Sequence, residues 1–153
     1  MKNTTLCYIE KDEAYLMLHR IKKENDENRD KWIGIGGKFE PGETPYECAR
    51  REIFEETGLI ANTLLYRGIV TFVSDIYGTE YMHLFTTGDF SGKISESCSE
   101  GNLTWVKKRY VPSLPIWEGD KIFLELLDTD TQFFSLKLEY EGDRLVSHKL
   151  EFC

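Results

Sequence analysis

The chain has 153 residues, 41% of them hydrophobic and 13% aromatic, and a formal net charge of −8 at pH 7. This length and composition suit one folded domain over residues 1–153 and exclude an intrinsically disordered chain. The acidic balance argues against a nucleic-acid polymer as partner, because no basic excess exists to neutralise its phosphates. A free nucleotide that arrives with its own metal ion remains compatible.

The N-terminal sequence MKNTTLCYIEKDE lacks the apolar segment of a signal peptide, and no apolar stretch is long enough to cross a membrane. The four cysteines, Cys7, Cys48, Cys98 and Cys153, show no paired motif spacing and indicate free thiols in a reducing compartment. We therefore expect a cytoplasmic protein with no membrane partner. The sequence leaves the oligomeric state open.

In chain order, the first elements are two strands over residues 4–10 and 14–20, joined by a turn at 11–13. A polar, charged segment follows over residues 21–31, and we expect it to form a mobile flap beside the functional site. Next come Gly34, Gly36 and Gly37, which permit close approach of the main chain to a ligand.

A short helix is predicted over residues 45–57. Thr44 has the character of an N-cap, Pro45 suits the first helical position, and Glu47 stands three residues after the cap. Gly58 is typical of a residue that ends a helix. We expect the apolar side of this helix, with Cys48, Ala49 and Ile53, to pack on the core.

Three glutamates share the other face of this helix, since Glu52, Glu55 and Glu56 are spaced i, i+3 and i+4. A solvated acidic face is the common meaning of such a cluster. The glycine-rich approach and the short capped helix favour instead a cation among the carboxylates. We predict that Arg51 pairs with Glu55, four residues later, and holds that carboxylate in place.

The predicted cation is Mg²⁺, with Mn²⁺ as a substitute. Mg²⁺ takes oxygen ligands and leaves several positions to water and substrate phosphates. The carboxylates and a carbonyl of Gly36 or Gly37 can supply such oxygens. The sequence places no His or Cys at zinc spacing nearby, which argues against zinc.

The remaining elements follow in order. Residues 63–74 and 81–89 predict a long hairpin connected by 75–80, and a loop at 90–100 leads to a strand at 102–107. Residues 116–127 have helical spacing, with Ile116, Phe123, Leu124 and Leu127 as expected core contacts. Residues 132–140 and 144–152 predict a final hairpin.

The run GKFEPGETPYECARREIFEETGL, residues 37–59, resembles the signature of the Nudix hydrolases. That signature is a glycine, five residues, Glu, seven residues, then Arg-Glu-apolar-any-Glu-Glu-any-Gly-apolar. Its fixed positions are all filled, by Gly37, Glu43, Arg51, Glu52, Ile53, Glu55, Glu56, Gly58 and Leu59. The resemblance implies an α/β fold in which a mixed β-sheet is sandwiched between α-helices.

The chain also resembles, over nearly its whole length, the MutT- and MutX-type members of the family, which act as 8-oxo-dGTP diphosphatases. This resemblance implies a nucleoside monophosphate and pyrophosphate as products. It also implies a metal site formed by Gly36, Glu52, Glu55, Glu56 and Glu100. Glu100 has a second interpretation, as a solvated acid in a turn. Glu55, Glu56 and Glu100 are all candidates for the general base, and clustered acids titrate together.

The resemblance further implies that Trp117 stacks on the base and that Asp120 reads the purine edge. A core aromatic is the alternative interpretation of Trp117. Two positions depart from the oxidised-purine pattern: Ile33 replaces an asparagine that contacts the base, and Gly119 replaces an acid.

Arg20, Lys23 and Lys38 are candidates for contact with substrate phosphates, although the first two can equally be surface charges. Three functions are compatible with these features. They are 8-oxo-dGTP hydrolysis, hydrolysis of another nucleoside diphosphate derivative such as a different dNTP or ADP-ribose, and nucleotide sensing without catalysis. The complete carboxylate set argues against the sensor.

Overall fold

A computed structural model describes residues 2–21, 28, 30–95 and 101–153. The helices and strands of these ranges are β1 (Lys2–Lys11), β2 (Ala14–Arg20), β3 (Trp32–Ile33), α1 (Pro45–Thr57), β4 (Ile60–Ala61), β5 (Leu65–Ser74), β6 (Gly78–Thr87), β7 (Phe90–Ser91), β8 (Gly101–Lys107), a 3₁₀ helix (Lys108–Ser113), α2 (Asp120–Leu127), β9 (Phe134–Glu141) and β10 (Arg144–Phe152).

The strands form a mixed sheet in the order β10-β9-β5-β6-β1-β2-β3, with β8 also paired to β2. The β1–β6 and β5–β9 pairs are parallel, whereas β1–β2, β5–β6 and β9–β10 are antiparallel. β4 and β7 form a separate two-stranded ladder. The mixed sheet predicted from the family resemblance is confirmed.

Side-chain alternation along β1 builds a core on each face of the sheet, because successive residues of a strand point to opposite sides. Leu6 and Tyr8 belong to the core that contains Phe123 of α2. Cys7 and Ile9 belong to the core that contains Ile53 of α1. The two helices therefore cover opposite faces of the sheet.

A segment from Trp32 to Lys38 crosses between β2 and β1. Trp32 and Ile33 pair with β2, and isolated bridges then join Ile35 and Lys38 to β1. At Gly36 the two backbones lie too close for a side chain, since a Cβ there would be 1.9 Å from the Thr5 carbonyl oxygen. The glycine run thus serves to lay this segment against β1.

Most predicted elements are confirmed, with shifted ends. The second strand of the long hairpin begins at Gly78 rather than at residue 81. The two-residue strands at 32–33, 60–61 and 90–91 and the 3₁₀ helix were not predicted, because they are too short to show periodicity. Residues 22–27 and 29 of the expected flap, with Lys23 among them, lie outside the described residues. Glu100 also lies outside them.

The second helix begins at Asp120, so the prediction that it starts at residue 116 is wrong. The segment before it turns into the core. The Gly119 N–H donates a hydrogen bond to the Tyr140 hydroxyl at 2.7 Å. A Cβ on Gly119 would lie 2.5 Å from a methyl group of Leu138. These contacts hold the residue before α2 against β9. Among the described residues, no helix has the length and apolarity needed to cross a membrane.

Candidate active site

A cavity of about 890 Å³ opens between β1, the 33–40 segment, α1 and the start of α2. It brings together most of the residues singled out from the sequence. These are Arg20, Ile33, Gly36, Lys38, Arg51, Glu52, Glu56, Trp117 and Asp120. Glu55 does not line the cavity, and its side chain is 55% exposed.

The helix α1 is fixed at both ends as predicted. The Thr44 hydroxyl accepts a hydrogen bond from the Glu47 N–H at 3.1 Å, and the Glu47 carboxylate accepts one from the Thr44 N–H at 2.9 Å. Gly58 ends the helix with φ of 81°. This reciprocal capping satisfies two backbone N–H groups that the start of a helix otherwise leaves without a partner.

Arg51 organises the acidic face. Its guanidinium donates two hydrogen bonds to Glu43, at 2.7 and 2.9 Å, and one to Glu52 at 2.8 Å. The predicted pair with Glu55 is present at 3.1 Å. A further bond to the Lys38 carbonyl, at 2.9 Å, ties the helix to the glycine segment. Charge-assisted bidentate pairs of this kind are the strong ones.

Glu43 was not recognised as the main partner of Arg51. The two residues are eight apart and lie on a loop and a helix, so no local spacing rule predicts their contact. The hydrogen bonds from Arg51 lower the pKa of Glu43 from 4.5 to about 2. The Glu43 and Glu52 contacts raise the pKa of Arg51 above its ordinary value, against the opposing effect of burial. Glu43, the first fixed glutamate of the signature, thus anchors the Arg51 side chain.

Glu52 and Glu56 are the helix carboxylates that reach the cavity. The Glu52 side chain is 13% exposed, and the Oε2 atom of Glu56 is buried. A Cβ on Gly37 would lie 2.6 Å from the Glu52 carboxylate carbon. Only a glycine leaves room for that carboxylate beside the 36–37 backbone.

The donor set suits a hard divalent cation. Among the described residues, no three acid, His or Cys side chains converge as a preformed metal centre. Two carboxylates at a cavity edge nevertheless match the way proteins bind Mg²⁺, which takes its other ligands from water and phosphates. The Gly37 carbonyl accepts hydrogen bonds from the Thr5 N–H at 2.9 Å and the Cys48 thiol at 3.7 Å, which favours Gly36 as the backbone ligand.

Trp117 lines the cavity and also belongs to a hydrophobic core. Its ring packs edge-on against Phe72 and Tyr140, with centroid distances of 5.2 and 5.0 Å. The indole N–H donates to Asn28 Oδ1 at 2.7 Å, and the Lys31 ammonium lies 4.5 Å from the ring centroid. The two interpretations of Trp117 therefore do not exclude each other.

Asp120 is only 6% exposed where it begins α2. Burial raises its pKa from 3.8 to about 8, although the positive charge of Lys31 acts in the opposite direction. A carboxyl group with such a pKa is mostly protonated at neutral pH and can donate a hydrogen bond. Asp120 can therefore meet an acceptor on a ligand that Trp117 contacts.

Ile33, Arg20 and Lys38 also line the cavity. Ile33 pairs with Leu18 across β2 and β3 and presents no hydrogen-bonding side chain. Sequence reasoning missed a further group of lining residues on the strands, which comprises Lys2, Thr4, Leu6, Phe72, Glu80 and Met82. Their alternation along each strand was visible, but which face meets the cavity depends on the sheet order.

Comparisons with known proteins agree with this geometry. The model of the NUDIX domain matches residues 2–127. The oxidized purine nucleoside triphosphate hydrolase of Danio rerio is 35% identical over 124 residues, which are 79% of this chain and 78% of that protein. The protein of the same name from Mus musculus is 30% identical over 122 residues, 78% of this chain and 77% of that protein.

A solved structure extends the agreement to the whole fold. The crystal structure of the mutator MutT protein from Bacillus halodurans superposes with a TM-score of 0.87 at 27% identity, over 99% of this chain and 98% of that one. This match includes the β9–β10 hairpin, which lies beyond the NUDIX domain match. The chain therefore belongs to the NUDIX family and is a Nudix hydrolase.

Proposed function

We propose that this Nudix hydrolase converts 8-oxo-dGTP to 8-oxo-dGMP and pyrophosphate in a Mg²⁺-dependent reaction. One observation carries the proposal: a single cavity joins the signature carboxylates Glu52 and Glu56 to the aromatic and acidic wall of Trp117 and Asp120. The names of the Danio rerio and Mus musculus relatives support the same substrate class. Such an enzyme would remove mutagenic precursors of DNA from the cytoplasmic nucleotide pool.

In this proposal, residues of α1 and of the glycine-rich segment before it bind the metal ion and the substrate phosphates. Glu52, Glu56 and the Gly36 carbonyl would hold Mg²⁺, with Glu55 and Glu100 as further ligands. The ion would supply charge neutralisation of the phosphate oxygens and a water of lowered pKa. Arg51 holds the Glu52 carboxylate toward the cavity through a 2.8 Å hydrogen bond. Lys38 and Arg20 line the cavity and would contact the phosphates. Lys23 is a further candidate for that contact.

A carboxylate that is not fully committed to the cation would take the proton of the attacking water. Among Glu55, Glu56 and Glu100, we favour Glu56 for this role, because it lines the cavity and one of its carboxylate oxygens is buried. Glu55 is turned toward Arg51 and solvent. In this assignment Arg51 is a positioning residue, since it acts through the carboxylates that it holds.

In this proposal, the nucleobase binds at Trp117 and Asp120. Trp117 would contact the face of the purine, and Asp120, protonated at neutral pH, would donate a hydrogen bond to its edge. Buried groups of this kind discriminate strongly, because a substrate that cannot pair with them leaves them unsatisfied.

The alternative substrate is another nucleoside diphosphate derivative, such as a different dNTP or ADP-ribose. Ile33 favours this alternative, since it lines the cavity without a hydrogen-bonding group at a position where the resemblance predicts an asparagine. The asparagine would supply both a donor and an acceptor to the base.

A substrate panel separates the two. The purified chain is assayed with Mg²⁺ against 8-oxo-dGTP, dGTP and ADP-ribose, and kcat/KM is compared. We expect the highest value for 8-oxo-dGTP and no turnover when the divalent cation is removed with EDTA. Equal values for 8-oxo-dGTP and dGTP, or a higher value for ADP-ribose, would overturn the proposal. The same panel with Mn²⁺ tests whether the metal can be exchanged.

A further inference from the structure

A third wall of the cavity carries an ion pair that neither the metal site nor the Trp117 wall explains. Glu80 of β6 lines the cavity with Lys2 and Thr4 of β1. The Thr4 hydroxyl donates to Glu80 Oε2 at 2.7 Å, and the Lys2 ammonium lies 3.2 Å from Oε1. The Glu80 side chain is 15% exposed. Its carboxylate is thus held in one orientation at the edge of the binding space.

Strand register places Glu80 near Trp117. On β6 it shares a face with Met82, which also lines the cavity. It stands opposite Lys2 across β1 and opposite Phe72 across β5. Directly opposed residues of an antiparallel pair, such as Glu80 and Phe72, have Cβ atoms about 5 Å apart. Because Phe72 packs on Trp117 with a centroid distance of 5.2 Å, only the Phe72 side chain separates Glu80 from Trp117.

The chemistry of this position is that of an acceptor. A partly buried acid is costly unless its charge is paired, and Lys2 and Thr4 meet that requirement. A carboxylate has about four acceptor positions on its two oxygens. The two contacts with Thr4 and Lys2 therefore leave acceptor positions for a ligand. The paired carboxylate has no hydrogen to donate, so it can recognise only donors, such as amino or ring N–H groups.

We propose that Glu80 is a specificity-determining residue that selects bases carrying an exocyclic amino group. This inference rests on the proposed function only in that the cavity binds a purine nucleotide. The acceptor at Glu80 and the groups at Trp117 and Asp120 then read separate parts of the base. A guanine-type base is preferred over a hypoxanthine-type base, which lacks the amino group.

Nucleotide binding tests this without depending on hydrolysis. dGMP and dIMP differ only in the 2-amino group, and their Kd values are measured by calorimetry on the wild-type protein and on Glu80→Met. We expect the wild type to bind dGMP about 10- to 100-fold more tightly than dIMP, the ratio for one hydrogen bond to a charged group. The Glu80→Met ratio should fall toward one, mainly through weaker binding of dGMP.

Two further variants keep the test decisive. Glu80→Gln retains an oxygen for Thr4 but removes the charge, so it should give an intermediate ratio even if Glu80→Met folds poorly. Glu139→Met removes an acid of similar ion pairing, 3.3 Å from Lys137, that does not line the cavity. It should leave the ratio unchanged.

A wild-type ratio near one, or a ratio unaffected by both Glu80 substitutions, would overturn the inference. Failure of the proposed function has a different signature: the wild type would prefer dGMP yet show no advantage for 8-oxo-dGTP in turnover. If both hold, Glu80→Met should raise KM for dGTP with little change in kcat, as expected when uniform binding is lost.

Discussion

Replacing Asp120 by Asn should remove most of the pH dependence of stability between pH 4 and pH 8. In the folded protein burial raises the pKa of this carboxyl from 3.8 to about 8, and in the unfolded chain it returns to the ordinary value. Folding therefore favours the protonated form. The contribution to stability is fully present below about pH 4, declines as pH rises, and is lost once pH passes 8.

The magnitude follows from the displacement of the pKa. Each tenfold change in proton affinity is worth about 1.4 kcal/mol. Because the pKa of Asp120 rises from 3.8 to about 8 on folding, the folded protein loses roughly 4–6 kcal/mol of stability as pH rises through this range. The 6% exposure of Asp120 leaves little solvent to reduce this figure. Lys31 is the charge that opposes burial, and it is already included in the balance. Asn has the same shape and no charge at any pH.

Denaturation in guanidinium chloride at pH 5, 6, 7, 8 and 9 measures the effect. The free energy of unfolding of Asp120→Asn, relative to wild type, should increase by several kcal/mol from pH 5 to pH 9. Asp130→Asn is the matched control, because Asp130 is exposed, and its difference from wild type should stay flat. A difference for Asp120→Asn that is constant across the series would refute a raised pKa at this position.

Three further predictions concern the signature. Arg51→Lys should cost about 2–4 kcal/mol of unfolding free energy by denaturation, because Lys cannot form the bidentate pair, whereas exposed Arg50→Lys should change it by under about 0.5 kcal/mol. Gly37→Ala should reduce kcat up to about 100-fold with normal Tm, since the new Cβ displaces only the Glu52 carboxylate. Gly36→Ala should instead lower Tm, because its Cβ meets the backbone of Thr5. Glu56→Gln should reduce kcat about 10²- to 10⁴-fold at unchanged stability, and near-normal turnover would exclude it as base.

The sequence predicted α1 to the residue because its determinants are local. Thr44, Pro45, Glu47 and Gly58 act on their immediate neighbours, and the structure has the same helix ends. The glutamate spacing was equally local, so the acidic face could be predicted before any tertiary contact was known. What could not be predicted is the direction of each carboxylate. Arg51 bonds most closely to Glu43, which lies in the loop just before α1, so helical spacing does not predict that contact.

The part of the cavity around Trp117 and Glu80 could be predicted only in part, because its geometry depends on residues far apart in sequence. Trp117 was identified, but its burial against Phe72 and Tyr140 requires the order of β5 and β9 in the sheet. Glu80 was not identified at all. An acid near a strand end looks like surface charge until the register places it opposite Lys2 and Phe72.

Gly119 illustrates why departures from a family pattern should not be interpreted one position at a time. As an isolated position it lacks an acid that could contact the base. In the fold, Tyr140 occupies that space: its hydroxyl accepts the Gly119 N–H and would lie 2.7 Å from a Cβ at this position. Tyr140 in turn packs on Trp117. The glycine, the tyrosine and the tryptophan therefore form one packing unit, in which a hydroxyl from β9 replaces a side chain on the turn before α2. Because Asp120 follows directly, this unit also fixes where the remaining acid enters the cavity. In the function proposed above, Asp120 and Glu80, on separate elements, would recognise the base.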